Sequence, residues 1–256
     1  MYFGPYIDFA QICLYLFWIF FAGLVFYLRQ EDRREGYPLV AEPEGQKARG
    51  FLLIPDPKKF HLRDGRTVEA PNFELENREI KVEKREPWPG APYVPTGDPM
   101  ADGVGPASWA ERADTPDLTV EGDPKIVPLR AAKEFKAATE RSDPRGDAVI
   151  ACDHKKVGTV SDLWVDKSEQ LVRYLEVQLT EGERKVLVPM PMAKIIAPIG
   201  KADGRVHVSA LYADQFAAVP ATSRATSITL LEEDKIQAFF AGATLYAHPN
   251  RQEPLL

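Results

Sequence analysis

From Phe9 to Leu28 the chain runs for twenty residues without an Asp, Glu, Lys or Arg, and the next six residues are Arg-Gln-Glu-Asp-Arg-Arg. At about 1.5 Å per residue such a run makes a helix roughly 30 Å long, which matches the hydrocarbon thickness of a bilayer. Leu14, Phe17, Phe20, Phe21, Leu24 and Phe26 surround it with large apolar side chains, so no polar face remains to meet water. Tyr6 and Tyr27 stand near the two expected interfaces, where amphipathic rings settle. No Lys or Arg precedes Arg29, whereas Arg29, Arg33 and Arg34 crowd the far end, so the positive-inside rule predicts an outer N-terminus and a cytoplasmic remainder. A cleaved signal peptide would need a basic start, a shorter apolar stretch and a small-residue cleavage site, and residues 1–8 carry only Asp8. The reading is an outer segment over 1–8, a membrane anchor over 9–28 and a polar juxtamembrane segment over 29–50.

The 256-residue chain, less its anchor, leaves room for one good-sized domain or two small ones. The net charge of −6, with acidic and basic residues interspersed, argues against non-specific nucleic-acid binding, which relies on clustered Lys and Arg. Cys13 sits in the apolar run and Cys152 in the polar part, so no disulfide between them is expected.

Between Glu86 and Pro128 stand nine prolines, a density that forbids long helices and central strands. Trp88, Tyr93, Val104, Trp109 and Ile126 are apolar anchors that a solvated linker would not carry. Residues 51–145 therefore read as a Pro-rich, extended or β region that packs on partner subunits. From 146 to 220 the pattern changes to strands: Val157–Val165, Val172–Leu179, Lys185–Ile196 and Arg205–Leu211 are rich in β-branched and aromatic residues. Leu175, Val177 and Leu179 alternate with Tyr174, Glu176 and Gln178 as in a half-buried strand. Turns at Thr180-Glu-Gly-Glu183 and Asp203-Gly204 complete the expectation of a small closed β-barrel. In the last segment, 221–256, Thr229-Leu-Leu-Glu232 fits a capping box, Ile236, Phe239 and Phe240 follow at helical spacing, and Gly242 can end the helix. The fold class is a single N-terminal transmembrane helix followed by a mainly-β cytoplasmic domain with a small barrel and one C-terminal helix.

Catalytic signatures are absent from the sequence: there is no phosphate loop, Gly-x-Ser-x-Gly elbow or Cys-x-x-Cys. His61, His154, His207 and His248 are isolated in sequence and predict no metal site. Two acidic clusters remain, Asp117 to Lys125 (with Glu121 and Asp123) and Asp162 to Arg173 (with Asp166 and Glu169). They read either as a solvated loop and a turn or as a proton relay, which needs carboxylates close enough to pass a proton directly or through one water. Spacing alone does not choose between these.

With these residues in view, the chain resembles the H subunit of purple-bacterial photosynthetic reaction centres. The resemblance rests on Tyr27-Leu-Arg-Gln-Glu-Asp-Arg-Arg-Glu-Gly-Tyr-Pro-Leu39, Pro95-Thr-Gly-Asp-Pro-Met100, Asp102-Gly-Val-Gly-Pro-Ala-Ser-Trp109, Pro124-Lys-Ile-Val-Pro-Leu129, Asp143-Pro-Arg-Gly146, Gly158-Thr-Val-Ser-Asp-Leu-Trp-Val-Asp166, Arg173-Tyr-Leu-Glu-Val177 and Glu232-Glu-Asp-Lys235, in this order behind one anchor. It implies that the barrel is of the PRC type. It also implies a non-catalytic subunit in the bacterial inner, photosynthetic membrane, partnered by pigment-bearing L and M subunits, antenna subunits and lipids, and by no nucleic acid. The chain itself would bind no cofactor; the complex would hold bacteriochlorophyll, bacteriopheophytin, quinones and non-haem iron. Its implied task is to cap L and M and conduct protons to the secondary quinone. Asp166, Glu169 and Arg173 match the family's relay, and Lys125 matches a basic residue near its mouth, with Glu121 and Asp123 as proton collectors. Glu121 and Asp123 stand where some members place a histidine pair, which implies weaker zinc or cadmium inhibition here. Arg29, Arg33, Arg34 and Tyr37 would meet lipid headgroups. The alternative is a membrane-tethered barrel that binds RNA or protein, since related barrels occur in a ribosome-maturation factor; the acidic balance counts against it.

Overall fold

The computed structural model describes residues 8–36, 40–41, 46–47, 54–72, 78–137, 143–182, 184–197 and 204–252. Tyr37, Glu183 and Asp203 lie outside the described residues. Contacts divide the chain into two compact units, one of residues 1–77 with 86–92, the other of 78–85 with 93–256.

In the first unit, Asp8 caps a helix by accepting the Gln11 N–H at 2.8 Å, and helix α1 then runs Phe9–Glu31 with no buried residue. At about 1.5 Å per residue it is roughly 35 Å long, and it passes the expected end at Leu28 by three residues. Among the described residues it is the one helix long and apolar enough to cross a membrane. A 3-10 turn, Asp32–Arg34, follows. Glu31 closes this end: Arg34 donates to both of its carboxylate oxygens at 2.9 Å, and Lys58 donates to Oε2 at 2.6 Å. Arg29 pairs with Asp32 at 3.3 Å. The unit also holds two antiparallel pairs, β1 (Val40–Ala41) with β2 (Gln46–Lys47) and β3 (Lys58–His61) with β4 (Thr67–Ala70).

The second unit begins with a short antiparallel pair, β5 (Val82–Lys84) and β6 (Tyr93–Pro95), and a one-turn helix, α2 (Pro99–Asp102), capped by Asp98. Its main sheet contains β7 (Ile126–Pro128), β8 (Ala148–Ile150), β9 (Lys156–Asp166), β10 (Leu171–Leu179), β11 (Lys185–Pro189), β12 (Ala193–Ile196) and β13 (Arg205–Val208). The order is β11-β10-β9-β8-β13-β12, with β7 also on β9; only β8 and β13 run parallel. The long strand β9 is the spine, with β10 along one side and β8 and β7 sharing the other. Gly158 permits the β9–β10 approach, since a Cβ there would lie 2.1 Å from the Gln178 carbonyl oxygen.

The closed barrel of the sequence reading is corrected to an open, curled sheet. Among the described residues no ladder joins its terminal strands β11 and β12. Only the 3-10 turn Met190–Met192 separates them along the chain, so one edge is brought round to the other. Lys185–Ile196 is accordingly two strands rather than one, because Pro189 and Pro191 remove ladder donors at the break.

The C-terminal helix α3 (Leu230–Tyr246) has its capping box: Glu232 N–H donates to Thr229 Oγ1 at 3.1 Å, and Thr229 N–H donates to Glu232 Oε2 at 2.9 Å. Gly242 does not end it. A Cβ at Gly242 would lie 2.4 Å from the Ala107 Cβ, so this glycine serves close packing against the 3-10 turn Gly105–Ala107. Ile236, Phe239, Phe240 and Ala243 of α3 join Trp164, Tyr174, Leu175, Leu211 and Phe216 in one core. Fully burying a side chain of this size stabilises by about 1.5–3 kcal/mol. Strand β10 departs from simple alternation, since Tyr174 and Glu176 are buried along with Leu175 and Val177. Of the five aromatic and aliphatic anchors in the Pro-rich stretch, Val104 and Ile126 are buried, whereas Trp88 and Tyr93 are exposed. Trp109 has two cations over its ring, Arg78 at 4.0 Å and Lys235 at 4.5 Å from the ring centre.

Candidate functional site

The β9–β10 hairpin holds the first group of charges. Asp166 ends β9, and its Oδ1 accepts the N–H groups of Ser168 (3.0 Å) and Glu169 (2.9 Å), while its carbonyl accepts the Gln170 N–H at 2.8 Å. A carboxylate in this arrangement fixes the turn and holds itself still. Its other oxygen, Oδ2, faces two cations: Arg173, with Nε and Nη2 both at 3.3 Å, and Lys125 Nζ at 3.7 Å. Lys125 reaches this place because Ile126 pairs with Asp166 in the β7–β9 ladder, and because the Lys167 N–H donates to the Lys125 carbonyl at 2.9 Å.

Glu169 and Asp117 complete the cluster. Glu169 lies 2.8 Å from Arg173 Nη2 and 3.9 Å from Lys125 Nζ, and Asp117 lies 3.5 Å from Lys125 Nζ. Three carboxylates thus surround two cations, leaving one negative charge in excess. The side chains are graded in exposure: Glu169 and Asp117 are 48% and 46% exposed, and Asp166 is 0% exposed. Asp166 and Glu169 share one guanidinium nitrogen, Arg173 Nη2, at 3.3 Å and 2.8 Å, so the two oxygens on it are at most about 6 Å apart.

The remaining candidates separate. Asp123 pairs with Lys167 at 3.7 Å, and Lys167 also meets Glu134 at 3.5 Å, which makes an exposed neighbour of the cluster. Glu121 is exposed at the tip of the 117–125 loop, which the Leu118–Pro124 bridge closes. Asp162, grouped with Asp166 by sequence, belongs instead to a different network. Its Oδ2 accepts from Arg130 Nη1 at 2.9 Å, and the same nitrogen donates to Glu176 Oε2 at 2.8 Å. Glu176 also accepts from Lys185 Nζ (2.8 Å), Trp164 Nε1 (3.0 Å) and Ser161 Oγ (2.8 Å). Burial alone would push this carboxyl up, but those donors outweigh it and hold it at about 2.

Sequence reasoning missed Tyr174 and Glu233. The Tyr174 hydroxyl donates to Glu233 Oε2 at 2.9 Å and accepts from Gln237 Nε2 at 2.8 Å. Burial pushes the Glu233 carboxyl above its ordinary value; Tyr174, Arg112 and Arg173 oppose this and Asp117 reinforces it. Burial, and then the Glu233 charge, push the Tyr174 phenol up, so it stays a proton donor. Arg173 and Asp117 thus act both on Glu233 and in the Asp166 cluster. A groove of about 390 Å³ opens beside Arg173 and Tyr174, walled by Pro106, Pro189, Met192 and Ala241. Glu233 was hidden because it reads as one more acid in a capped first turn.

Among the described residues no group of three or more His, Cys, Asp or Glu could hold a metal ion. The histidines that read as isolated are not all so, since the rings of His154 and His207 lie 6.1 Å apart.

Residues 1–131 match the family model for the photosynthetic reaction centre H-chain N-terminal region, and residues 138–214 match that for the PRC-barrel domain. Asp117 and Lys125 fall in the first match and Asp166, Glu169 and Arg173 in the second, so the charged cluster is assembled from both.

Proposed function

The chain belongs to the photosynthetic reaction-centre H-chain family, and from that premise we propose that it caps the cytoplasmic face of L and M subunits and conducts protons to the secondary quinone. The family is one of structural reaction-centre subunits rather than enzymes, and the single apolar helix near the N-terminus fits a single-pass, membrane-associated member. Membership implies a complex with L and M partners, pigments and quinones, the chain itself holding none of the cofactors.

The observation that carries the proton role is the graded cluster: Glu169 at the water, Asp166 out of it, and Arg173 Nη2 shared between them. A quinone reduced in a low-dielectric pocket must take up protons without water flooding the site, and fixed carboxylates on a polar cap meet both needs. Glu169 and Asp117 take protons from water, and Asp166 passes them inward. Lys125 and Arg173 offset most of the carboxylate charge. Asp123 and Glu121 collect protons from the exposed loop, and Tyr174 with Glu233 forms a second branch that opens on the groove beside Arg173.

The N-terminus lies outside the inner photosynthetic membrane and the barrel in the cytoplasm. Arg29, Arg33 and Arg34 face anionic headgroups at that interface, with Arg34 already steadied by Glu31. Antenna subunits and lipid complete the surroundings of α1.

A pull-down from gently solubilised native membranes tests the assignment. Bacteriochlorophyll bands that bleach reversibly in light will accompany the chain. A colourless eluate holding RNA would contradict the proposal and favour a tethered RNA-binding barrel.

A further inference from the structure

We propose that His154 and His207 together bind one divalent transition-metal ion, of the Zn²⁺, Cu²⁺ or Ni²⁺ class. The two come from distant parts of the chain. His154 sits in the turn between β8 and β9 at φ 62°, pinned by its N–H to the Ala151 carbonyl (3.1 Å) and by the Ala151 N–H to the Lys155 carbonyl (3.0 Å). His207 is held in β13 between Ile150 of β8 and Lys194 of β12. Both backbones are therefore fixed before any ion arrives.

The ring spacing decides whether one ion can serve both. With metal–nitrogen bonds of about 2.0–2.1 Å, each ring centre lies about 3.2 Å from the ion, so two rings on one ion are at most about 6.4 Å apart. The observed 6.1 Å is inside that limit, and the planes are inclined by only 31°. At a tetrahedral angle the centres would lie about 5.2 Å apart, so binding requires the rings to close by about 1 Å. Asp153, the residue before His154, adds a negative charge to the same turn: its Oδ1 is buried without a hydrogen-bond partner, and its Oδ2 lies 3.2 Å from Lys155. Lys155, Lys156 and Lys194 oppose the added charge. With two protein ligands, water fills the remaining positions, and imidazole selects borderline metals over Mg²⁺ or Ca²⁺. The pair and the Asp166 cluster lie at opposite ends of β9, roughly 33 Å of strand apart.

The test uses the full-length chain in detergent at pH 8, where imidazole is available as a ligand. Copper electron paramagnetic resonance will show two imidazole nitrogens on one copper per chain, and His154→Ala or His207→Ala will each remove one nitrogen and weaken binding by about tenfold or more. Zn²⁺ will protect His154 and His207 of the wild-type chain, but not His61 or His248, from diethyl pyrocarbonate, a readout that needs no variant. Glu169→Gln will leave binding unchanged. Oxygen-only copper coordination, equal modification of all four histidines with Zn²⁺ present, or loss of binding in Glu169→Gln overturns the proposal.

Discussion

Tyr174 of β10 donates its hydroxyl proton to Glu233 of α3 across 2.9 Å, tying the strand that carries Arg173 to the first turn of the C-terminal helix. The bond links fold to proposed function, since the helix that covers the sheet also brings a fourth carboxylate within the field of Arg173 and Asp117.

Glu233→Gln separates the charge of this residue from its hydrogen bond, because an amide oxygen still accepts from Tyr174. The folded-state pKa of Glu233 is raised, so its contribution to stability is present below the unfolded value and is lost as pH rises through the folded one. Urea unfolding across pH 4–8 will show wild type and Glu233→Gln alike at the acid end, with the variant gaining as pH rises. A wild-type advantage that grows with pH contradicts this.

Glu176 has the opposite sign. Its carboxyl is held at about 2 and its side chain is only 3% exposed, so its stabilisation is present above the ordinary carboxylate pKa and is lost as pH falls toward 2. Glu176→Gln will cost roughly 3 kcal/mol at pH 7, because Arg130 and Lys185 lose the ion that pairs them. The same measurement repeated at decreasing pH will find the gap closing.

Gly242→Ala sets two effects against each other. Alanine gains about 1 kcal/mol of helix propensity, but its methyl would sit 2.4 Å from the Ala107 Cβ and 3.0 Å from its Cα, and overpacking of this kind costs about 1–3 kcal/mol. The net effect will be destabilising, and Ala107→Gly in the same chain will restore part of the loss. Thermal melts of the single and double variants check it.

These cases also show which parts of the molecule local sequence reveals. The apolar run at Phe9, the β9–β10 hairpin and the Thr229–Glu232 box were legible because each is specified by residues within a few positions of one another. Gly242 was misread because its partner, Ala107, is far away in sequence, and a glycine needed for close packing looks the same as one that ends a helix. Asp162 and Asp166, four positions apart, looked like one cluster. The cations that divide them, Arg130 on one side and Lys125 with Arg173 on the other, are placed by the fold, which no spacing rule contains. Glu169 and Asp166 were readable as candidates, but their graded exposure and shared guanidinium emerge only from the fold.

The most direct test of the account is flash kinetics on reaction centres carrying Glu169→Gln. With Glu169 in the proton route, the first charge separation is unchanged, while the second, proton-coupled reduction of the secondary quinone slows by about tenfold or more between pH 7 and 9. A second electron transfer at wild-type speed across that range would contradict it and remove Glu169 from the proton route.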